Sequence, residues 1–354
     1  MNTIEPLNRT MNPMAYYWRR SRPFRPLLIL LACTMQGFGA QAEAQALRVW
    51  GDDASGQISS APEEDIRAVA TGGAIISLAL RSDRTPVLWG FGPIGPPPIP
   101  EALAAGRFKA VAVGRDDAVL IYQDGTLAAF GQNAPIENVP AGFYQDVSVA
   151  AVYAVAIGDD GRLTAWGSDS WPPPSGTLTG LLNAPQGGPF KDVDSSVLYS
   201  LALHEVGTVY GWGHGEVLAG WTATPEDPAI FYIPDESFKA ISAGNRHALA
   251  IRPNGTVTGW GDGSGGALAP PTHVKFKAVA AGWGFSLGLS TNGTLWGWGT
   301  PFKSPFGTEH WTFASEGWTR YGEAGHYYVP DERFESIAAA AFHVMAITAG
   351  RDKR

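Results

Sequence analysis

The sequence predicts an all-β fold, a seven-bladed β-propeller of short antiparallel blades, and three observations predict it. Glycine and proline are abundant, a short motif recurs seven times, and the N-terminal part supplies a strand that the last repeat lacks. With 44 Gly and 27 Pro in 354 residues, the chain is built for many short elements joined by tight turns. Hydrophobic residues at 45% and charged residues at 16% give it enough apolar surface for a large core.

The repeat begins with an aromatic residue and a run of small and branched ones. Phe108-Lys109-Ala110-Val111-Ala112-Val113-Gly114 returns as Phe238-Lys239-Ala240-Ile241-Ser242-Ala243-Gly244 and as Phe276-Lys277-Ala278-Val279-Ala280-Ala281-Gly282. Weaker copies start at Ile66, Phe143 or Tyr144, Phe190 and Phe334. Each continues into an alternating segment such as Ser200-Leu201-Ala202-Leu203 or Ala248-Leu249-Ala250-Ile251, the period of a half-buried strand. Asp124-Gly125, Asp160-Gly161, Asn254-Gly255 and Asn292-Gly293 then predict two-residue hairpin turns, with Asp83-Arg84 as an irregular copy. A third strand ends in Trp-Gly at Trp89, Trp166, Trp212, Trp260 and Trp298, and in Phe-Gly at Phe130.

One such three-stranded unit cannot bury both of its faces, but units stacked around an axis cover one another. Alanine and glycine crowd the first strand because inner strands converge on the axis. The bulky Trp belongs on an outer strand, where blades diverge. The last copy stops after Val344-Met345-Ala346-Ile347, while Leu47-Arg48-Val49-Trp50-Gly51 is an orphan third strand. Placing Leu47 to Gly51 in the seventh blade closes the ring and removes an exposed edge. The expected organisation is a signal peptide over 1–46, a propeller over 47–348 and a tail over 349–354.

The signal peptide is read from Arg19, Arg20, Arg22 and Arg25, the apolar Leu27 to Ala32, and small-x-small sites around Ala40 to Ala46. It predicts a secreted or periplasmic protein. The only cysteine, Cys33, lies inside it, so the mature chain has no disulfide framework; membrane attachment is expected only if Cys33 is lipidated. The chain holds 25 Lys and Arg against 33 Asp and Glu, and the first 46 residues take five of the former but only two of the latter. The mature surface is therefore acidic, which argues against nucleic-acid binding.

The Phe-Lys-Ala-Val-Ala-Ala-Gly, Ser-Leu-Ala-Leu, Asp-Gly-Thr and Trp-Gly elements, over about Leu47 to Thr348, resemble the repeats of the regulator-of-chromosome-condensation superfamily. They are similar in particular to the compact secreted form typified by the type II β-lactamase inhibitory proteins. That resemblance implies a binding propeller whose partner is held by aromatic and polar residues of one loop-rich rim. It does not by itself carry an activity, because members of the superfamily differ in function.

If the first strand of each blade runs up, the loop after it and the exit after Trp-Gly share one face. Arg115, Asp116, Tyr153, Tyr199, Asn245, Arg246, Trp283, Phe285 and Phe342 fall in or beside the short loops. Trp311 and Trp318 fall in the long insert 300–333, and the inserts 168–189 and 214–237 carry further aromatics. These eleven residues are the expected partner-binding positions. The leading function is protein binding; inhibition of a secreted enzyme such as a β-lactamase, and glycan binding, are the alternatives. No enzyme, cofactor or metal site is expected. His247 and His343 occupy one repeat position, His310 and His326 have no ligand pair beside them, and no Gly-x-Ser-x-Gly elbow is present. The expected state is a monomer.

Overall fold

The computed structural model describes residues 45–350 except 54, 64, 73–75, 91–97, 133, 170–179, 214–221, 224–229, 234–235, 301–317 and 322–324. Residues 1–44 of the expected signal region, with Cys33, lie outside the described residues, as do Trp171, Trp221, His310 and Trp311.

Seven antiparallel sheets follow one another along the chain, and their first strands pack side by side in a closed circuit around an axis. Blade 1 comprises Ile66–Gly72, Ile76–Arg81 and Pro86–Gly90. Blade 2 comprises Phe108–Val113, Asp117–Tyr122 and Leu127–Gly131, and blade 3 Tyr144–Val149, Tyr153–Gly158 and Leu163–Gly167. Blade 4 begins with Phe190–Ser195, Tyr199–His204 and Val209–Gly213, and blade 5 is Ala240–Ala243, His247–Ile251 and Val257–Gly261. Blade 6 begins with Phe276–Ala281, Phe285–Ser290 and Leu295–Gly299.

Blade 7 joins the two ends of the propeller. Phe334–Ala339 and His343–Thr348 are completed by Leu47–Gly51, which pairs antiparallel with Leu47 opposite Ile347 and Gly51 opposite His343. The Ala46 and Thr348 backbones are joined at 2.9 Å, and Arg48 grips Glu332 with two guanidinium nitrogens. Trp50 meets Trp318 and Phe334 edge-on, at ring-centroid distances of 5.6 and 6.0 Å. The closing strand is thus held by backbone pairing, packing and an ion pair together.

The opening aromatic of each repeat is a core residue: Phe108, Phe190, Phe238, Phe276 and Phe334 are all fully buried. Its amide is bonded to the preceding blade's hairpin, as in Phe190 to the Gly161 carbonyl and Phe276 to the Gly255 carbonyl, both at 2.8 Å. Repeat follows repeat in fixed register because each turn supplies an acceptor for the next blade. The following residue, such as Lys109 or Lys277, is a bulge that opposes no partner in the strand pairing.

The turns differ from the two-residue form expected. Gly125 donates to the Tyr122 carbonyl, Tyr122 donates to the Thr126 carbonyl, and only Gly125 takes positive φ, at 98°. This is the three-residue hairpin in which a left-handed glycine follows an ordinary turn. The preceding Asp or Asn carboxyl or amide oxygen accepts the amide two residues on, as Asp124 does from Thr126 at 2.9 Å. In blade 1 Arg84 adopts φ 74° and makes the same turn, with Asp83 accepting from Thr85.

The Trp-Gly tryptophans fill the outer gaps as the pattern predicts. Trp89, Trp166, Trp212 and Trp298 are buried, and each indole N–H donates to a carbonyl of the segment that enters its own blade: Gln57, Ile136, Leu181 and Ala267, at 2.8–3.0 Å. Near the axis, a Cβ added to Gly72 would lie 2.1 Å from the Gly114 carbonyl oxygen, so neighbouring inner strands approach too closely there for any side chain.

Two inserts do not stay on the loop face. Thr222–Ala223 with Ile230–Tyr232, and Thr319–Tyr321 with His326–Tyr328, form hairpins that widen blades 4 and 6 to five strands. They pair with the otherwise open edge of the Trp-Gly strand, Trp296 opposite Tyr328 and Tyr210 opposite Tyr232. Tyr232, Tyr327 and Tyr328 therefore belong to blade walls.

Candidate binding face

In blades 3 to 7 the first residue of the middle strand follows the loop that joins it to the inner strand, and it points into the seam with the next blade; in blade 2 Asp117 instead accepts from Gln132 of its own blade. Tyr153 hydroxyl reaches the Ser196 carbonyl at 3.0 Å and the Ser200 hydroxyl at 2.9 Å in blade 4. Tyr199 donates to the Gly244 and His247 carbonyls of blade 5, both at 2.9 Å. His247 Nε2 meets Ser286 Oγ of blade 6 at 2.9 Å, and His343 Nε2 meets Ser77 Oγ of blade 1 at 2.8 Å, across the closure. Phe285 holds the same position in blade 6 and is fully buried. Burial depresses both histidines to about 4, so they stay neutral near pH 7.

This arrangement corrects several expected binding positions. Tyr153, Tyr199, Phe285 and Phe342 are between 0% and 1% exposed, and no partner can touch their rings without opening the ring of blades. Trp318 is also buried, because it covers Trp50 on the closing strand. What remains at the surface is the loop position just before the seam residue: Arg115 and Arg246 are exposed, and Asp116, Asn245 and Trp283 half-exposed. Val197 and Leu198, half-exposed in blade 4, were not among the expected positions, although they occupy the loop that holds Arg115 and Asp116 in blade 2.

These loops surround the mouth of an axial cavity of about 810 Å³. Arg115, Asp116, Leu198, Asn245, Trp283 and Phe342 contribute to its lining at the rim, and the inner strands supply its walls. Trp283 stands edge-on to Phe342 at 5.2 Å, so its ring is braced from below while part of it faces outward. Arg115 Nε lies 3.4 Å from Asp116 Oδ2, and Arg246 Nε 3.9 Å from Asp262 Oδ2, both on the outer surface. Desolvation raises the Asp116 carboxyl above its usual range, against the opposing pull of Arg115. The rim thus offers one braced aromatic, an apolar patch from blade 4, and charges of both signs. Among the described residues no three His, Cys, Asp or Glu side chains gather to hold a metal ion.

Residues 238–267 and 276–302 match the regulator of chromosome condensation (RCC1) repeat family. Two of the chain's repeats match that family, and the chain as a whole folds as a seven-bladed propeller. Among solved structures, Prp20p from Saccharomyces cerevisiae is similar over 88% of this chain and 92% of its own, with a TM-score of 0.65 at 14% identity. Human WBSCR16 is similar over 87% of this chain and 100% of its own, with a TM-score of 0.64 at 15% identity. The ectodomain of the Physcomitrella patens receptor kinase CR4 covers 79% of this chain and 69% of its own, with a TM-score of 0.54 at 17% identity. No curated protein sequence matches the chain. At these identities the likeness is one of fold.

Proposed function

We propose that this propeller is an exported protein-binding module whose partner docks over the mouth of the axial cavity. The observation that carries the reading is Trp283. A half-exposed indole, braced by Phe342 and sharing the cavity mouth with Leu198, Asn245 and Arg115, has the composition of an interface centre with a polar rim. The repeat does not require an aromatic there, since Asp116, Leu198 and Asn245 occupy corresponding loops. Propellers of this fold do bind proteins: Prp20p is described for its binding to Gsp1p and histones. The N-terminal signal pattern directs this chain outside the cytoplasm, so its partner is sought there. Inhibition of an exported enzyme is the form of binding to assay first, with β-lactamases as the opening panel.

The test compares two single variants for retention of proteins from culture fluid and cell envelope. Trp283→Ala lies on the cavity mouth; Phe143→Ala removes a 59%-exposed ring beside the Gly125 turn, at the opposite end of the blades. The partner retained by the parent protein should bind the Trp283 variant more weakly by about 2 kcal/mol or more, and the Phe143 variant unchanged. Loss of binding in the Phe143 variant alone would move the interface to the other face.

A further inference from the structure

The inner strands of most blades carry alanine or serine at the two positions facing the next blade, but blades 3 and 4 carry Asp146, Asp192 and Asp194. The neighbours in sequence register are Ala110, Ala240 and Ala278 for the first two, and Ala112, Ser148, Ser242 and Ala280 for the third. Each carboxylate reaches across a seam to an amide on the channel-facing edge of the next inner strand. Asp146 accepts from its own neighbour Val147 at 2.9 Å and from Val193 of blade 4. Asp192 accepts from Ile241 of blade 5, and Asp194 from Ala243 of blade 5 at 2.8 Å.

We propose that these three carboxyls make the inner strand of blade 4 a proton-operated joint, tight while Asp146 and Asp192 hold their protons under mildly acidic conditions and loosened as they ionise toward neutrality. The geometry separates their roles. Asp194 also accepts from Ser195 at 3.0 Å, from Ser242 Oγ at 3.2 Å and from Ser148 Oγ at 3.4 Å, a set of donors suited to a charged group. Asp146 and Asp192 have backbone donors only and lie within reach of the charge on Asp194 and, for Asp192, on Asp146. Asp194 lines the axial cavity, and Asp146 and Asp192 are half-buried along the same inner strands.

The titratable groups facing the cluster are its own members with Tyr153 and Tyr199, from the middle strands of blades 3 and 4. Lys191, on the same strand as Asp192, turns its Nζ to the Glu205 carbonyl at the exposed end. No Lys, Arg or His among the described residues figures among the groups acting on the three. Burial, then the neighbouring charge, holds Asp146 up to about 7 and Asp192 well above its usual range, and burial raises Asp194. A carboxyl raised in the folded state binds its proton more tightly there than in the unfolded chain. Its contribution to stability is complete below pH 4 and is lost as pH climbs from there through about 7. His247 and His343, depressed to about 4, act in the opposite sense: they stabilise fully above pH 6.5 and lose this as pH falls through 4. Substitution of the carboxyls is therefore needed to isolate the joint.

The experiment measures Tm from pH 4.5 to 8 for the parent protein, Asp146→Asn and Asp192→Asn. The amide mimics the protonated carboxyl, so at pH 8 each variant should melt above the parent by about 2 °C or more, and the gap should close at pH 4.5. Hydrogen exchange of Val193 and Ile241 amides in the parent should quicken between pH 5 and 8 beyond the intrinsic rise, giving a readout that needs no variant. Parallel Tm curves, variants that melt lower at pH 8, or exchange that follows only the intrinsic rise would each overturn the proposal. None of these outcomes bears on whether the cavity mouth binds a protein.

Discussion

The ring is held together in two different ways on its two sides. From blade 3 to blade 6, polar side chains cross each seam: Ser148 accepts from Ser195, Asp194 from Ala243 and Ser242 from Ala281, with Tyr153, Tyr199 and His247 forming a second tier above them. From blade 7 through blade 2, the matching inner positions are Ala338, Ala70 and Ala112, and the strands meet through small residues and apolar packing. Above that inner level His343 meets Ser77, and at the outer turns Arg84 donates to Gln123 and Arg107 to the Asp83 carbonyl. One fold thus tolerates either a bonded or a dry seam. The difference is that the bonded side responds to protons, whereas the dry side depends on closure by the N-terminal strand.

The sharpest way to break the dry side is to remove that strand. Deleting residues 45–51 takes away five paired residues, the Arg48–Glu332 bridge and the Trp50 ring against Trp318. The loss of a large packed aromatic alone is worth about 3–5 kcal/mol, so the truncated protein should melt well below the parent by calorimetry. An unchanged Tm would mean that blade 7 stands without its third strand. The smallest effect sharpens the comparison from the same side. Arg84 sits at φ 74° where the other turns place glycine, so Arg84→Gly should raise stability by up to about 1 kcal/mol in urea unfolding. No gain would show that the Arg84 side chain compensates for its backbone.

Most of the fold was legible because repetition multiplies each weak signal. Strand order, the closing role of Leu47 to Gly51 and the filling role of the Trp-Gly tryptophans all follow from copies in register. The turn type was misread at one residue of length, since Asp-Gly serves both hairpin forms and only the Thr126 amide and carbonyl bonds distinguish them. The site was less legible. Tyr153, Tyr199 and Phe285 align with His247 and His343, so a strict reading by repeat position assigns all five to the seams, and aromatic character alone misdirects. Trp318 could not be placed that way, because its partner Trp50 comes from the far end of the chain. The carboxylates in blades 3 and 4 did leave a signal, a charge where other copies have alanine, that hydrophobic periodicity passes over.

The central claim is that one loop position is free to bind while its neighbour two residues on holds the blades together. Trp283→Ala and Phe285→Ala test it directly, because the two rings are close in sequence and opposite in role. By thermal and urea unfolding, the Phe285 variant should lose about 3–5 kcal/mol, the cost of emptying a packed aromatic site. The Trp283 variant, losing one edge contact with Phe342, should lose under about 1 kcal/mol. Equal losses, or a larger loss at Trp283, would contradict the division of the loop face into a structural tier and a binding tier.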